Sequence, residues 1–106
     1  MKGGEVIEYT VKVFDNGNRY WYLNGQLHRE DGAAIEYAYG SRCWYLNGEL
    51  HREDGPACEF TYGTREWWLN DVEYTEEEFL KKTAKVKELS VAEIESLLGY
   101  QIKVVK

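Results

Sequence analysis

Two identical tetrads, His28-Arg29-Glu30-Asp31 and His51-Arg52-Glu53-Asp54, carry the residue types most able to do chemistry in this chain. An imidazole beside carboxylates can ligate a metal or move a proton. Geometry argues against both, because residues adjacent in sequence rarely converge on one ion. A repeated structure would also leave two incomplete sites apart. The expectation is instead a loop whose His and Arg hydrogen-bond across to the next structural unit. Arg19, Arg42 and Arg65 recur at one position and offer a cationic ladder, while Tyr22, Tyr45 and Trp68 recur at another. Bases stack where aromatics lie beside cations on one surface. Strand parity puts these rings on the face opposite the arginines, so nucleic acid is disfavoured as a partner.

The acids form a third pattern. Glu36 and Glu59 occupy one repeated position, and Glu30-Asp31 and Glu53-Asp54 another. Residues 18–74 hold five Arg against ten Asp and Glu, whereas residues 75–106 balance six Lys against six Glu. Nearly all of the net charge of −6 therefore sits on the repeats. Such a surface could dock a protein with a basic surface or imitate nucleic acid. The plain alternative is an ordinary solvated acidic face. There is no Gly-rich phosphate loop, no Cys or His pair at zinc spacing and no nucleophile elbow. The expectation is no enzyme, no cofactor and no metal. The candidate binding residues are Tyr22, Tyr45, Trp68, Glu36, Glu59, Glu30, Asp31, Glu53 and Asp54.

What must position these residues is a repeat. With 106 residues, 43% of them hydrophobic, the chain is long enough for one domain with a modest core. Residues 18–40 (NRYWYLNGQLHREDGAAIEYAYG) and 41–63 (SRCWYLNGELHREDGPACEFTYG) agree at 16 of 23 positions, which neither chance nor local propensity produces. Thr64 opens a truncated third copy, TREWWLNDVEY, and Lys12–Gly17 aligns with Ile35–Gly40 as a partial unit upstream. Arg19–Leu23 and Arg42–Leu46 are β-favouring and run into Asn-Gly, the pair that supplies the positive φ values of a type I′ hairpin. Asp31-Gly32 and Asp54-Gly55 signal a second turn. A third strand, Ala34–Tyr39 or Ala57–Tyr62, then ends on Gly40 or Gly63. Each unit reads as a short antiparallel meander that adds edge to edge onto the next.

Strand parity places Trp21, Trp44 and Trp67 with Leu23, Leu46 and Leu69, and this Trp/Leu face is the expected core. The opposite face carries Tyr20, Cys43 and Glu66 at a position expected to be exposed in at least one unit. Glu36 and Glu59 are expected to face solvent. Cys43 and Cys58 lie in alternating segments and read as buried free thiols, with a bridge or a reactive site as the alternative. After the repeats, Thr75-Glu76-Glu77-Glu78 is a capping box flanked by the staple pair Tyr74 and Phe79. Ser90-Val91-Ala92-Glu93, with Leu89 and Ile94, repeats that grammar. Val91, Ile94, Leu97 and Leu98 make an apolar stripe, and Gly99 is a stop. Gln101–Val105 reads as a closing strand. Both helices are expected to cap the sheet end.

The run Trp21-Tyr22-Leu23-Asn24-Gly25, with His28, Gly32, Tyr37 and Gly40, closely resembles a divergent MORN-type repeat. Trp44 through Gly48, His51, Gly55, Phe60 and Gly63 match in the same way. The departure is the Arg-Glu-Asp insert between His and Gly. This HREDG-P-A variant is similar to the repeat of small bacteriophage proteins of uncharacterised function and of large viruses. Those often end, as here, in WWLN…YTEEEF and an acid-rich helix. The resemblance spans about residues 12–80. It implies an interaction surface for protein or lipid rather than a catalyst.

The combined expectation is a mainly β protein: a repeat antiparallel β-meander forming a single MORN-like sheet over residues 1–74, with two capping helices and a tail over residues 75–106 in the same domain. No segment approaches the ~20 apolar residues of a membrane span, and no basic-plus-apolar leader precedes a cleavage site. The expected setting is cytoplasmic, in a host cell if the protein is viral. The expected function is a non-enzymatic protein-interaction module, a phage-type accessory protein that binds a host protein and inhibits a bacterial defence system. The alternative is a small-ligand or nucleotide binder using exposed Tyr and Arg. Self-association through the sheet edge or the helices stays open.

Overall fold

The structure, a computed structural model, describes residues 6–84 and 90–99. Among the described residues ten short strands precede two helices: β1 (Thr10–Val13), β2 (Arg19–Leu23), β3 (Gln26–Leu27), β4 (Ile35–Glu36), β5 (Arg42–Cys43), β6 (Tyr45–Leu46), β7 (Glu49–Leu50), β8 (Cys58–Glu59), β9 (Arg65–Leu69), β10 (Val72–Tyr74), α1 (Glu76–Thr83) and α2 (Val91–Leu98). The main sheet has eight strands in the order β1-β2-β4-β5-β8-β9-β10, with β3 also on β2, and β6–β7 forms its own hairpin. The protein is therefore mainly β, with an antiparallel meander and two small helices.

Two kinds of turn, each repeated, build the meander. Leu23 pairs with Gln26, Leu46 with Glu49 and Leu69 with Val72, so each hairpin loop has two residues. Asn24, Asn47 and Asn70 lie at φ of about 50°, followed by Gly25 at 79°, Gly48 at 80° and Asp71 at 65°. These are the type I′ hairpins that Asn-Gly requires, and the last unit forces an Asp into the glycine position. The second turn closes with Gly17, Gly40 and Gly63 N–H donating to the carbonyls of Phe14, Tyr37 and Phe60 at 2.8, 2.9 and 2.9 Å. Lys12–Gly17 is thus a partial unit in structure as well as in sequence. Consecutive turns are tied by a side-chain oxygen at one repeated position. Asn18 Oδ1 accepts from Ala38 N–H at 2.8 Å, and Ser41 Oγ accepts from Thr61 N–H at 3.0 Å. Asn and Ser interchange there because each supplies an acceptor.

The core lies on the face opposite the expected one. Ile35, Cys43 and Cys58 are buried, with Tyr20, Leu27, Tyr37, Tyr45, Leu50 and Phe60 packed against them. Trp21 and Trp44 belong to the other face, half-buried beneath arginine side chains rather than beneath apolar ones. Arg19, Trp21 and Leu23 share one parity, so that face carries cations and the loop folds back over it. The small and aliphatic residues of the Tyr/Cys face close against each other instead. The position expected to be exposed is half-buried at Tyr20 and Glu66 and buried at Cys43. Cys43 and Cys58 are direct cross-strand partners, and both are free. Trp44 N–H donates to Ala57 O beside them at 2.7 Å, which puts the thiols in the closer, non-hydrogen-bonded register. A hydrogen bond from Cys58 holds the Cys43 thiol below its ordinary range, and the same bond pushes Cys58 up.

At the end of the repeats, Glu78 N–H donates to Thr75 Oγ1 at 3.1 Å and Thr75 N–H to Glu78 Oε1 at 2.9 Å, closing the capping box. The Thr75 backbone N–H holds the Glu78 carboxyl below its usual range. Phe79 is buried, and α1 packs against β9 and β10. Helix α2 stops at Gly99, which takes φ 78°. Leu89 and the expected strand at 101–105 lie outside the described residues, as do the side chains of Glu93, Leu97 and Leu98. No helix among the described residues is long and apolar enough to cross a membrane.

Candidate functional site: a groove between the HREDG loops

The loop after each short hairpin return is built around its arginine. Arg29 Nε donates to Asp31 Oδ1 at 2.9 Å, its Nη1 donates to Ala33 O at 3.3 Å, and Nη1 also lies 3.4 Å from Glu36. Its guanidinium carbon sits 3.8 Å from the Trp21 ring centre. Arg52 repeats the arrangement with Asp54 at 2.8 Å, Pro56 O at 3.1 Å, Glu59 at 3.6 Å and Trp44 at 3.8 Å. This explains the glycine of the motif: a Cβ on Gly32 or Gly55 would meet the guanidinium carbon at 3.1 or 3.0 Å. The Arg52 guanidinium holds the Asp54 carboxyl below its ordinary range.

The histidines face the following unit. His28 Nδ1 accepts from Asn47 N–H at 2.9 Å, and His51 Nδ1 accepts from Asn70 N–H at 3.0 Å. Backbone bonds run alongside, from Arg29 N–H to Tyr45 O at 3.1 Å and from Arg52 N–H to Trp68 O at 3.2 Å. An accepting Nδ1 leaves the proton on Nε2, which in His51 lies 3.1 Å from Glu53 Oε2 and in His28 3.7 Å from Glu30 Oε2. Each imidazole therefore works as a staple between units. The arginine side chains, by contrast, fold back within their own unit instead of crossing. Among the described residues no three His, Cys, Asp or Glu side chains gather at one point.

Between the two loops runs an open groove of about 700 Å³, lined by Arg29, Arg42, Trp44, Arg52 and the acids of both loops. Its cations are consumed internally, since Arg42 pairs with Glu59 at 3.0 Å and Arg29 and Arg52 are bound as above. Glu30, Asp31, Glu53 and Asp54 remain at the rims, and the Asp31 and Asp54 side chains are 80% and 86% exposed. These four of the expected binding residues are thus brought together.

The other five are placed differently. Glu36 accepts from Trp21 Nε1–H at 3.1 Å and pairs with Arg19 at 3.4 Å, and Glu59 lies between Arg42 and Arg52. Neither is the free, solvent-facing acid that parity suggested, because the guanidiniums on the same face neutralise them. Tyr45 is in the core, where burial pushes its phenol up to about 12. Tyr22 is half-buried with the Lys12 ammonium 4.9 Å from its ring centre, and Trp68 donates its indole N–H to Glu66 at 3.2 Å. Tyr22, Tyr45 and Trp68 therefore form no bare stacking row. Tyr9 went unnoticed in the sequence because it lies outside the repeat. Its ring meets Trp21 edge-on at 5.6 Å, and its hydroxyl accepts from Glu30 N–H at 3.4 Å. Among the described residues the most exposed rings are Tyr39 and Tyr62, each stacked on an inner ring, Tyr37 at 5.4 Å and Phe60 at 5.2 Å.

No family model, curated protein or solved structure matches the chain.

Proposed function

We propose that the protein is a non-enzymatic interaction module that docks a protein partner with a basic surface across the groove between its HREDG loops. One observation carries this reading: the groove's arginines are spent on internal partners, Asp31 and Asp54 among them, whereas Glu30 and Glu53 stand exposed on its two rims with only a histidine beside each. Fixed like charges on a rigid sheet steer and orient a cationic partner and repel anionic ones. The same field disfavours an anionic lipid surface, so of the two kinds of partner that the MORN-type resemblance implies, protein is the better fit. That resemblance also supports a phage-type accessory role against a host protein, with inhibition of a bacterial defence system as the sharper form. A small-ligand reading would have to move from Tyr22 and Tyr45 to the exposed rings of Tyr39 and Tyr62.

The test is capture from a bacterial host lysate on the wild-type protein and on a variant carrying E30Q, D31N, E53Q and D54N together. A stoichiometric basic protein should be retained by wild type, lost from the variant and weakened by rising salt. Retention indifferent to both neutralisation and salt would refute the reading.

A further inference from the structure

The third unit holds the tryptophan of the repeated site without its arginine. Trp67 occupies in β9 the position of Trp21 in β2, and Arg65 that of Arg19. Trp21 and Trp44 are each covered by a loop guanidinium 3.8 Å from the ring centre. In the third unit the chain passes from Tyr74 straight into α1, so no HREDG loop returns over the ring. Trp67 instead lines an open cleft of about 390 Å³ with Arg65, Glu73, Tyr74, Glu76 and Glu78. Among the described residues no cation lies over Trp67, and Arg65 has no ion-pair partner. Glu78 is committed to the helix cap and Glu73 pairs in register with Trp68 on the opposite face, which leaves Glu76 to face a ligand.

We propose that this cleft receives an arginine side chain of the partner protein, its guanidinium lying on Trp67 as Arg29 and Arg52 lie on Trp21 and Trp44. Two filled copies of the site in the same chain define the occupant. In both, the cation is a guanidinium centred 3.8 Å from the indole ring centre and paired with a carboxylate. Lysine offers no plane to stack and holds its hydration more strongly. Glu76 takes the part of Glu36 and Glu59 beside the vacant position. The proposal rests on the basic-partner reading above and extends it to the C-terminal end of the sheet.

The probe is N-acetyl-arginine amide, titrated into the full chain while the Trp67 indole N–H resonance is followed by NMR. The neutral isostere N-acetyl-citrulline amide is the control. Saturable shifts confined to Trp67, at least tenfold tighter for arginine than for citrulline, are expected. Both W67L and, as a variant that leaves the ring in place, E76Q should weaken arginine binding at least fivefold. Equal binding of citrulline or no shift of Trp67 would each overturn the proposal. The titration needs no partner, so its failure is separable from failure of the groove reading. Once the partner is in hand, an affinity unchanged by E76Q would overturn the assignment of its arginine to this cleft.

Discussion

Replacing Arg52 by Ala tests whether the repeated loop is a structural clamp. The side chain is 20% exposed and makes four contacts at once: the Trp44 face, Asp54, Pro56 O and Glu59. Partial desolvation gives the cation–π contact about 1 kcal/mol. The hydrogen bond to Pro56 O adds about 1 kcal/mol. Asp54 is 86% exposed, so solvent screening reduces that pair to about 0.3 kcal/mol. Glu59 keeps Arg42, and its lost second cation costs about 0.5 kcal/mol. The expected loss is therefore roughly 2–3 kcal/mol, which for a domain of this size lowers Tm by on the order of 10 °C. Lys in place of Arg52 keeps the charge but not the planar fork, and should recover no more than about half of the loss. Arg65, which has no such clamp, supplies the control, and R65A should stay within about 0.5 kcal/mol of wild type. The assay is urea unfolding followed by tryptophan fluorescence and far-ultraviolet circular dichroism. A stability for R52A within about 0.5 kcal/mol of wild type, or R52K equal to wild type, would show that the guanidinium merely rests on the ring.

Four other outcomes follow from the same geometry. H28N, whose amide oxygen can stand in for Nδ1 and accept from Asn47 N–H, should retain more stability than H28L by about 1 kcal/mol in denaturant melts; equal losses would remove the staple role. D71A should be less stable than D71G by about 1 kcal/mol, because both lose the 2.7 Å bond from Leu50 N–H but only Gly relieves the positive φ. Burial raises the Tyr37 and Tyr45 phenols from 10.0 to about 12, so the unfolded chain ionises first. Stability should be intact below pH 10 and fall as pH rises towards 12, with phenolate absorbance lagging that of the unfolded chain; a normal titration at pH 10 would contradict the burial. Cys43 and Cys58 should resist a thiol reagent in the native state and react on unfolding, since both are buried; prompt native reaction of both would mean the sheet face is open.

Much of the architecture was legible because it depends on local backbone chemistry. Asn24-Gly25 and Asn47-Gly48 turn where they must, and Thr75 and Glu78 cap the helix they announce. The period of 23 residues carried the meander and even the partial unit at Lys12–Gly17. Parity also sorted residues onto two faces correctly, with Arg19, Trp21 and Glu36 on one and Tyr20, Ile35 and Cys43 on the other. It could not say which face would close, since hydrophobicity alone ranks Trp and Leu above Tyr and Cys. The exposed rim acids of the groove were likewise nameable as residues, but not separable from Glu36 and Glu59.

The sequence by itself thus determined the repeat, its turns and the alternation of its strands, all set by interactions within a few residues. Only the tertiary structure decided the rest, because it depends on where Arg29 and Arg52 reach after the chain has folded back. Lying on Trp21 and Trp44, they pair with Asp31, Glu36, Asp54 and Glu59, turn the core to the Tyr/Cys face and leave Glu30 and Glu53 as the exposed acids without a guanidinium. A guanidinium can satisfy an indole face, a carboxylate and a carbonyl at once, and no count of residue types shows which of them it will choose.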